Sequence, residues 1–392
     1  MTRPSSEITD TEIPVPSGFG CSRCSLWVSL VLLALAAVLV LSPARETWQS
    51  VYGARWAYIL IVSGLISFGL TPVIIRMAHA TGVLDMPASR KVHATPTPLL
   101  GGVAIYLAFA LAILANSILD REVVAILVGA SLLVAVGILD DILEVPASIK
   151  LCAQLLAVGI VIGSGVTLTL FPRFWLGNLI DAILTVIWLL GITNAMNFFD
   201  GMDGLATGLS IITASFLGLF AFLTSQAFLG WFAAALVGSC VGFLPFNFRR
   251  KAPAAIFLGD AGSTFLGFVL AALAVKGEWA ENNLVDLAAP VLIFWVFIYD
   301  MTHITVARIV TGKVRSFRGW IAYVGRDHLH HRLDALLGNK RKAVVLVFAF
   351  SICMGLAAIA LVHARGFEAV LLILQAVLIA AIFAVLEYAG NR

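Results

Sequence analysis

Stretches of apolar residues recur along almost the whole chain, separated by short polar segments. Each stretch has about the 20 residues that an α-helix needs to cross the hydrocarbon core of a bilayer. The pattern therefore predicts an all-α polytopic membrane protein. We predict twelve spans, at residues 26–43, 56–78, 99–119, 122–139, 149–170, 178–198, 205–225, 227–246, 255–275, 284–310, 343–363 and 367–389.

The first predicted span stands apart from the other eleven. Residues 1–25 are polar and rich in proline, as is typical of a disordered tail. This tail carries acidic residues and lacks the compact basic region of a signal peptide, so the run at 26–43 is predicted to be a retained helix. We expect a disordered cytoplasmic tail at 1–25, an extra N-terminal transmembrane helix at 26–43, and a main domain of about eleven core helices at 56–390.

Composition supports the membrane class and excludes two others. Hydrophobic residues make up 61% of the 392 residues and charged residues only 12%, against roughly a quarter in an average soluble domain. A soluble globule is therefore excluded. The net charge of +3 is small, and no basic region is interleaved with aromatic residues, so we expect membrane lipids and no nucleic acid as partners.

Most of the 25 Lys and Arg residues fall on one side of the predicted membrane if the N-terminus is cytoplasmic. Cytoplasmic loops carry such an excess, so this orientation is favoured. It places the polar motifs at cytoplasmic helix ends or in cytoplasmic loops: residues 85–93, 140–141, 200–203, 260 and 328–331. The sequence therefore predicts one active site at the cytoplasmic face.

Asp140 and Asp141 end a predicted span as an adjacent acidic pair. Successive residues on an α-helix point about 100° apart, so the two carboxylates are unsuited to chelating one ion side by side. Separate roles are favoured, with one as a general base and the other holding a metal ion or a lysine. A solvated helix end is the alternative.

Asp200 and Asp203 lie in a second polar segment, with Asn194 and Asn197 before them and two glycines among them. Residues three apart on a helical turn share a face, so we expect both carboxylates on one side. Glycine allows a ligand to approach the backbone closely. The segment predicts a site for a cation or for proton transfer, with a hydrated acidic pair as the alternative.

Asp260 opens the span at 255–275 and lies at or just inside the interface. Ionisable residues at that depth are costly and tend to be functional, although an aspartate also stabilises a helix N-terminus. Asp300 and His303 lie within another span, which keeps a secondary transporter open as a function of a different class. Clustering of the other acids at one face disfavours transport.

Two basic tracts have the composition of phosphate-binding segments. One lies in the first cytoplasmic loop between prolines and glycines, and the other in the long loop at 311–342. Guanidinium and imidazole groups donate to phosphate oxygens, whereas zinc is disfavoured because no cysteine lies near the histidines. The candidate residues are Arg90, Lys91 and His93 in the first tract and His328, His330, His331 and Arg332 in the second.

Taken together and in this order, the motifs resemble the polyprenyl-phosphate N-acetylhexosamine-1-phosphate transferase family, glycosyltransferase family 4, over about residues 56–390. The Asp-His-Leu-His-His-Arg form is more similar to the undecaprenyl-phosphate N-acetylglucosamine-1-phosphate transferase branch than to the peptidoglycan branch. The matching motifs are Asp85-x-Pro87 through Arg90-Lys91-x-His93, the Pro-Thr-Pro to Gly-Gly turn, Asp140-Asp141 with Lys150, Asn194 to Asp203, Asn247, Phe257 to Asp260, and the His-x-His-His block.

The resemblance implies transfer of N-acetylglucosamine 1-phosphate, or a related N-acetylhexosamine 1-phosphate, from a UDP-sugar to undecaprenyl phosphate, with release of UMP. The product would be the lipid-linked first sugar of a cell-envelope polysaccharide such as O-antigen. It implies Mg²⁺ as cofactor, with Mn²⁺ as an alternative, and the cytoplasmic (inner) membrane of a bacterium. A phospho-MurNAc-pentapeptide transferase is the alternative within the family, and formation of a homodimer is left open.

Residue roles follow from the same resemblance. It implies a catalytic role for Asp140, Asp141, Asp200 and Asp203, and a metal site at Asp260 with Asp203. The substrate-binding residues that it implies are Arg90, Lys91, His93, Lys150, Asn194, Asn197, Asn247, Phe257, His328, His330, His331 and Arg332. The segment between Asn247 and Phe257 is a few residues longer than is usual in the family and includes three consecutive basic residues.

Overall fold

The computed structural model describes residues 22–41, 47–48, 54–87, 95–250, 252–279, 283–312, 325, 327–364 and 367–390. These residues form 14 helices and one antiparallel strand pair, which confirms the predicted all-α polytopic class. The elements are α1 (Ser22–Leu41), α2 (Arg55–Thr81), β1 (Leu84–Asp85), β2 (Thr97–Pro98), α3 (Gly101–Ala115), α4 (Arg121–Leu143), α5 (Ala147–Ser164), α6 (Trp175–Phe199), α7 (Leu205–Leu223), α8 (Ala227–Asn247), α9 (Gly259–Lys276), α10 (Asn283–Ile293), α11 (Trp295–Val310), α12 (Leu329–Leu337), α13 (Lys340–His363) and α14 (Phe367–Gly390).

Nine of these helices are long and apolar enough to cross a membrane, and each coincides with a predicted span: α2, α4 to α9, α13 and α14. The predicted N-terminal helix is present as α1, and the span predicted at 99–119 is the short helix α3. The helix at α1 already includes residues 22–25, which were expected in the tail. The rest of the predicted tail, at 1–21, lies outside the described residues.

The span predicted at 284–310 is not one continuous helix. It is broken into α10 and α11, which are bent by 75° relative to each other. Pro290 lies one turn before the break, and a proline has no N–H to donate to the preceding turn of a helix. The apolar composition of the segment hides this break, because both halves are apolar enough to read as one span.

Helix α9 lies at the centre of the bundle, and nearly all of its residues are buried. It contacts α3, α4, α6 and α7. Its last residue, Lys276, forms ion pairs with Asp120 (2.9 Å) and Glu122 at the start of α4. At the opposite end, the backbone N–H of Asp260 donates to Asp141 at the end of α4 (3.1 Å). Contacts at both ends therefore fix the axial register of α9 against α4.

Helix α3 approaches α9 closely because both helices have glycine at the crossing point. A Cβ atom on Gly102 would overlap the backbone of Gly262. The backbone N–H groups of Gly101 and Gly102 also donate to the carbonyls of Phe257 (3.0 Å) and Leu258 (2.8 Å), immediately before α9. A glycine pair therefore lets α3 hold the segment that positions Asp260.

We predict that Gly102→Ala lowers the stability of the folded protein. The new methyl group has no space against the backbone of α9, and such overpacking typically costs about 1–3 kcal/mol. Thermal unfolding of the purified protein in detergent measures the change.

Gly163→Ala in α5 is the matched control, since a Cβ there meets no atom within 4 Å and alanine is the better helix former. An unfolding midpoint equal to that of the wild type in Gly102→Ala would contradict the packing described for α3 and α9.

Candidate active site

A cavity of about 980 Å³ lies where the N-terminus of α9 meets the ends of α4, α6 and α8. Its lining residues come from segments that are far apart in sequence but that all lie at or near helix ends. A polar group is placed more easily there than among the apolar residues of a spanning segment. The cavity brings together these predicted site residues: Asp140, Asp141, Asp200, Asp203, Asn247, Phe257, Asp260 and His331.

Lys150 joins two of the carboxylates. Its Nζ lies 2.7 Å from Oδ2 of Asp260 and also contacts Oδ2 of Asp140. Asp260 accepts a further hydrogen bond from Nδ2 of Asn197 (3.1 Å), and Asp140 accepts one from the backbone N–H of Val145 (2.7 Å). One ammonium group thus connects α4, α5 and α9 and offsets the repulsion between two acids.

The adjacent aspartates point to different partners, in agreement with the separate roles expected from the sequence. Asp140 contacts Lys150, whereas Oδ1 of Asp141 accepts from the backbone N–H of Asp260 at the start of α9. Gly259, just before it, has a φ of +75°, and a Cβ there would lie 2.6 Å from Oδ2 of Asp141. That Oδ2 is buried and has no hydrogen-bond donor among the described residues.

Asp200 and Asp203 both line the cavity, as expected, but they do not do so from one face of a helix. Helix α6 ends at Phe199 and α7 begins at Leu205, so both aspartates lie in the tight turn between them. Gly204 closes the turn with a φ of +74°, a conformation in which glycine is favoured. Oδ2 of Asp203 accepts from the backbone N–H of Ala254 (3.0 Å).

The carboxyl group of Asp200 faces an unfavourable electrostatic environment. Burial raises its pKa well above the usual value, and the negative charges of Asp260, Asp141 and Asp203 raise the pKa further. Its surroundings therefore favour either a proton or a cation at this position.

Two predicted substrate-binding amides are used by the protein itself. Asn194 exchanges hydrogen bonds with Gln154 (2.9 and 3.3 Å) and does not line the cavity. Asn247 is 3% exposed; its Oδ1 accepts from the N–H of Gly204 (2.9 Å) and its Nδ2 donates to the carbonyl of Ile256 (3.0 Å). In this structure Asn247 therefore holds the two backbone segments that carry Asp203 and Asp260.

The histidine block forms the first turn of α12. His331 lines the cavity, and the ring of His330 lies against Gly201 in the turn between α6 and α7. His330 is 1% exposed, and neither of its ring nitrogens has a hydrogen-bond partner in the described part of the chain. Burial lowers its pKa well below the usual value, and the nearby positive charge of Arg332 acts in the same direction, so the surroundings of His330 favour the neutral imidazole.

Arg332 and His328 face away from the cavity lining, toward α11. Arg90, Lys91 and His93 lie outside the described residues, so their assignment stays a prediction.

Sequence reasoning missed three cations at the cavity, Arg249, Lys340 and Arg341. Arg341 donates to the backbone carbonyls of Arg249 (2.6 Å) and Arg250 and so binds the extended segment between α8 and α9 to α13. Lys340 and Arg341 lie at the start of a span, which was a signal for a role at the cytoplasmic face. However, the excess of positive residues in cytoplasmic loops already explained their position.

The donor set suits a hard divalent cation such as Mg²⁺. No three His, Cys, Asp or Glu side chains among the described residues converge as closely as metal ligands do. However, Asp141 has a buried oxygen without a donor, and Asp200 lies among three other carboxylates. Mg²⁺ prefers such oxygen ligands and usually keeps water and substrate phosphate in its remaining positions, so the residues fit the ion that the sequence predicted.

Comparisons with known proteins show which family and which proteins this chain is similar to. The model of the family described as glycosyl transferase family 4 matches residues 123–278. A probable undecaprenyl-phosphate N-acetylglucosaminyl 1-phosphate transferase of Bacillus subtilis is 34% identical over 77% of this chain and 83% of its own length. A decaprenyl-phosphate N-acetylglucosaminephosphotransferase of Mycolicibacterium smegmatis is 29% identical over 82% and 83%. A phospho-N-acetylmuramoyl-pentapeptide-transferase of Listeria monocytogenes is 30% identical over 57% and 74%.

We predict that Asp200→Asn stabilises the protein at neutral pH when divalent cations are absent. An acid whose pKa is raised on folding stabilises the folded state at low pH, and this contribution is lost as the pH rises toward the raised value. Asparagine carries no charge, so the gap between the variant and the wild type should open as the pH rises and close at low pH.

Thermal unfolding in chelator across the pH range measures this gap. A variant that is less stable than the wild type at neutral pH would contradict the electrostatic description of the cavity.

Proposed function

The chain belongs to glycosyl transferase family 4, and on that basis we propose that it transfers N-acetylglucosamine 1-phosphate, or a related N-acetylhexosamine 1-phosphate, from a UDP-sugar to undecaprenyl phosphate. The names of its relatives in Bacillus subtilis and Mycolicibacterium smegmatis support both the transferred group and the polyprenyl acceptor. The charge distribution supports a cytoplasmic site in a bacterial inner membrane.

One observation carries the proposal: several carboxylates from separate helices meet in a single cavity at one end of the bundle, and the ammonium group of Lys150 joins two of them. Both substrates are phosphorylated anions that repel each other, so catalysis of their reaction consists mainly of positioning and charge stabilisation. Mg²⁺ bound here would neutralise charge that develops on the donor diphosphate. In our proposal Asp260 and Asp203 hold it.

The remaining residues provide the proton chemistry and the binding contacts. Asp140 removes the proton from the polyprenyl phosphate, and Lys150 holds that phosphate beside Asp140. The phosphate oxygen forms a bond to the β-phosphorus of the donor, the bond from that phosphorus to the bridging oxygen breaks, and UMP leaves. A two-step route through an aspartyl-phosphate is the alternative. His331, at the cavity wall, is positioned to bind the diphosphate.

The two alternative functions have less support. Transporters place their substrate site near the bilayer midplane in broken helices, whereas the acids of this cavity lie at or beyond helix ends and Asp300 of α11 is paired with His328 and Arg332. A MurNAc-pentapeptide transferase is supported by a relative that matches a smaller share of this chain.

The direct test incubates purified protein with undecaprenyl phosphate, Mg²⁺ and a panel of UDP-sugars. We expect release of UMP with UDP-N-acetylglucosamine or another UDP-N-acetylhexosamine, and mass spectrometry should show the corresponding lipid diphosphate sugar. Product only with UDP-MurNAc-pentapeptide would select the alternative within the family. Counterflow of a labelled solute without UMP would select transport.

Two variants test the assignment of residues. Asp260→Ala should abolish magnesium-dependent release of UMP, because it removes the proposed metal ligand. Asp140→Asn should lower kcat by at least about 10²-fold, the usual contribution of a general base, while binding of the UDP-sugar is largely kept.

Glu368→Gln, at the exposed start of α14, is the matched control and should turn over like the wild type. Near-normal turnover of folded Asp260→Ala would exclude the metal assignment, and loss of donor binding in Asp140→Asn would exclude its role as a base.

A further inference from the structure

Asp300 is a fully buried carboxylate in α11 that does not line the cavity. A charged group inside a membrane bundle is costly unless other groups compensate it. Its Oδ2 lies 2.8 Å from Nδ1 of His328, and its Oδ1 accepts from the backbone N–H of Leu329 (2.7 Å). Nη2 of Arg332 lies 3.4 Å from the same Oδ1. Every one of these partners belongs to the start of α12, so Asp300 binds the segment that carries the histidine block.

The contact with Asp300 requires a proton on Nδ1 of His328. An ionised carboxylate only accepts hydrogen bonds, so Nδ1 of His328 carries a proton and donates to Asp300. The ring is also stacked on Phe198, with centroids 4.6 Å apart and an interplanar angle of 25°. Phe198 lies two residues before Asp200. The hydrogen bond and the stacking together orient the imidazole beside the turn between α6 and α7, which carries Asp200.

A second pair of contacts holds the same turn from α11. Arg308 donates two hydrogen bonds to Asp327 (2.9 and 2.7 Å), and these bonds lower the pKa of Asp327. Arg332 also contacts His303. Helix α11 therefore contacts Asp327 before the histidines and Arg332 after them, and these contacts orient the first turn of α12.

We infer that Asp300 is a positioning residue for the transfer reaction, which acts through His328. It binds His328 and the backbone of Leu329 and so orients the first turn of α12, which brings His331 to the wall of the cavity that would hold the phosphorylated substrates. This inference rests on the proposed function, and it gives the buried acid of α11 a role that its sequence position did not reveal.

A double-mutant cycle between Asp300→Asn and His328→Gln tests the inference. Asparagine has one acceptor oxygen where Asp300 uses two, so either Leu329 or His328 loses its partner. We expect kcat/KM for release of UMP, normalised to folded protein, to fall about 10- to 100-fold in Asp300→Asn, the usual cost of removing a group that orients a functional histidine. His328→Gln should lose at least as much, and adding Asp300→Asn to it should cause little further loss.

Asp181→Asn is the matched control. Asp181 is another buried aspartate in a spanning helix, 5% exposed, and its oxygens accept from the backbone N–H groups of Leu170 (3.1 Å) and Phe171 (3.4 Å). Any loss that it causes is structural and should be the same with or without His328. Asp300→Glu keeps the charge, so it should retain more activity than Asp300→Asn, and it replaces that variant in the cycle if the asparagine protein does not fold.

The inference is overturned if the losses from Asp300 and His328 multiply as those from Asp181 and His328 do, or if His328→Gln is fully active. Wild-type turnover in the same assay separates the two claims. An active wild type with multiplying losses overturns the role of Asp300 alone, whereas a wild type that releases no UMP overturns the proposed function and this inference with it.

Discussion

The carboxylates around the cavity repel one another, and the packing of the helices that carry them must keep them together. The energy of like charges rises as water is excluded, so these acids can converge only where the protein compensates them. Lys150 compensates Asp140 and Asp260, and the N-terminal N–H of α9 compensates Asp141. Asp200 is compensated least, as its raised pKa shows. The negative charge that remains is what a divalent cation and the cationic groups at the wall would balance when two phosphorylated substrates bind.

Helix packing serves this compensation. Because α9 is bound to α4 at both ends, its first turn can present Asp260 to Lys150 and its backbone N–H to Asp141 at once. The glycine crossing with α3 and the hydrogen bonds before α9 keep that turn in place. A shift of one helical residue would rotate the carboxylate by about 100° and separate it from the lysine. The contacts that stabilise the packing of α9 are therefore the same contacts that fix the geometry of the cavity.

The sequence predicted the main architecture because a helix that crosses the bilayer needs about 20 consecutive apolar residues, and such runs are visible in the sequence. It also predicted that Asp140, Asp141, Asp200, Asp203 and Asp260 share one site. Periodicity could not reveal the break between α10 and α11, since a bend leaves the composition unchanged, and it placed Asp200 and Asp203 on a helix where glycines make a turn. Side-chain pairing was beyond it as well: the bonds of Asn247 to the backbone and of Asp300 to His328 join segments that only the tertiary fold brings together.

Anomalous scattering from Mn²⁺ would show whether one divalent ion is bound among these acids. Crystals of the protein grown with Mn²⁺ and a UDP-sugar should show an anomalous peak inside the cavity, within coordination distance of Asp260 and the donor diphosphate. A peak elsewhere in the protein, with the cavity free of metal while the UDP-sugar is bound, would contradict the account.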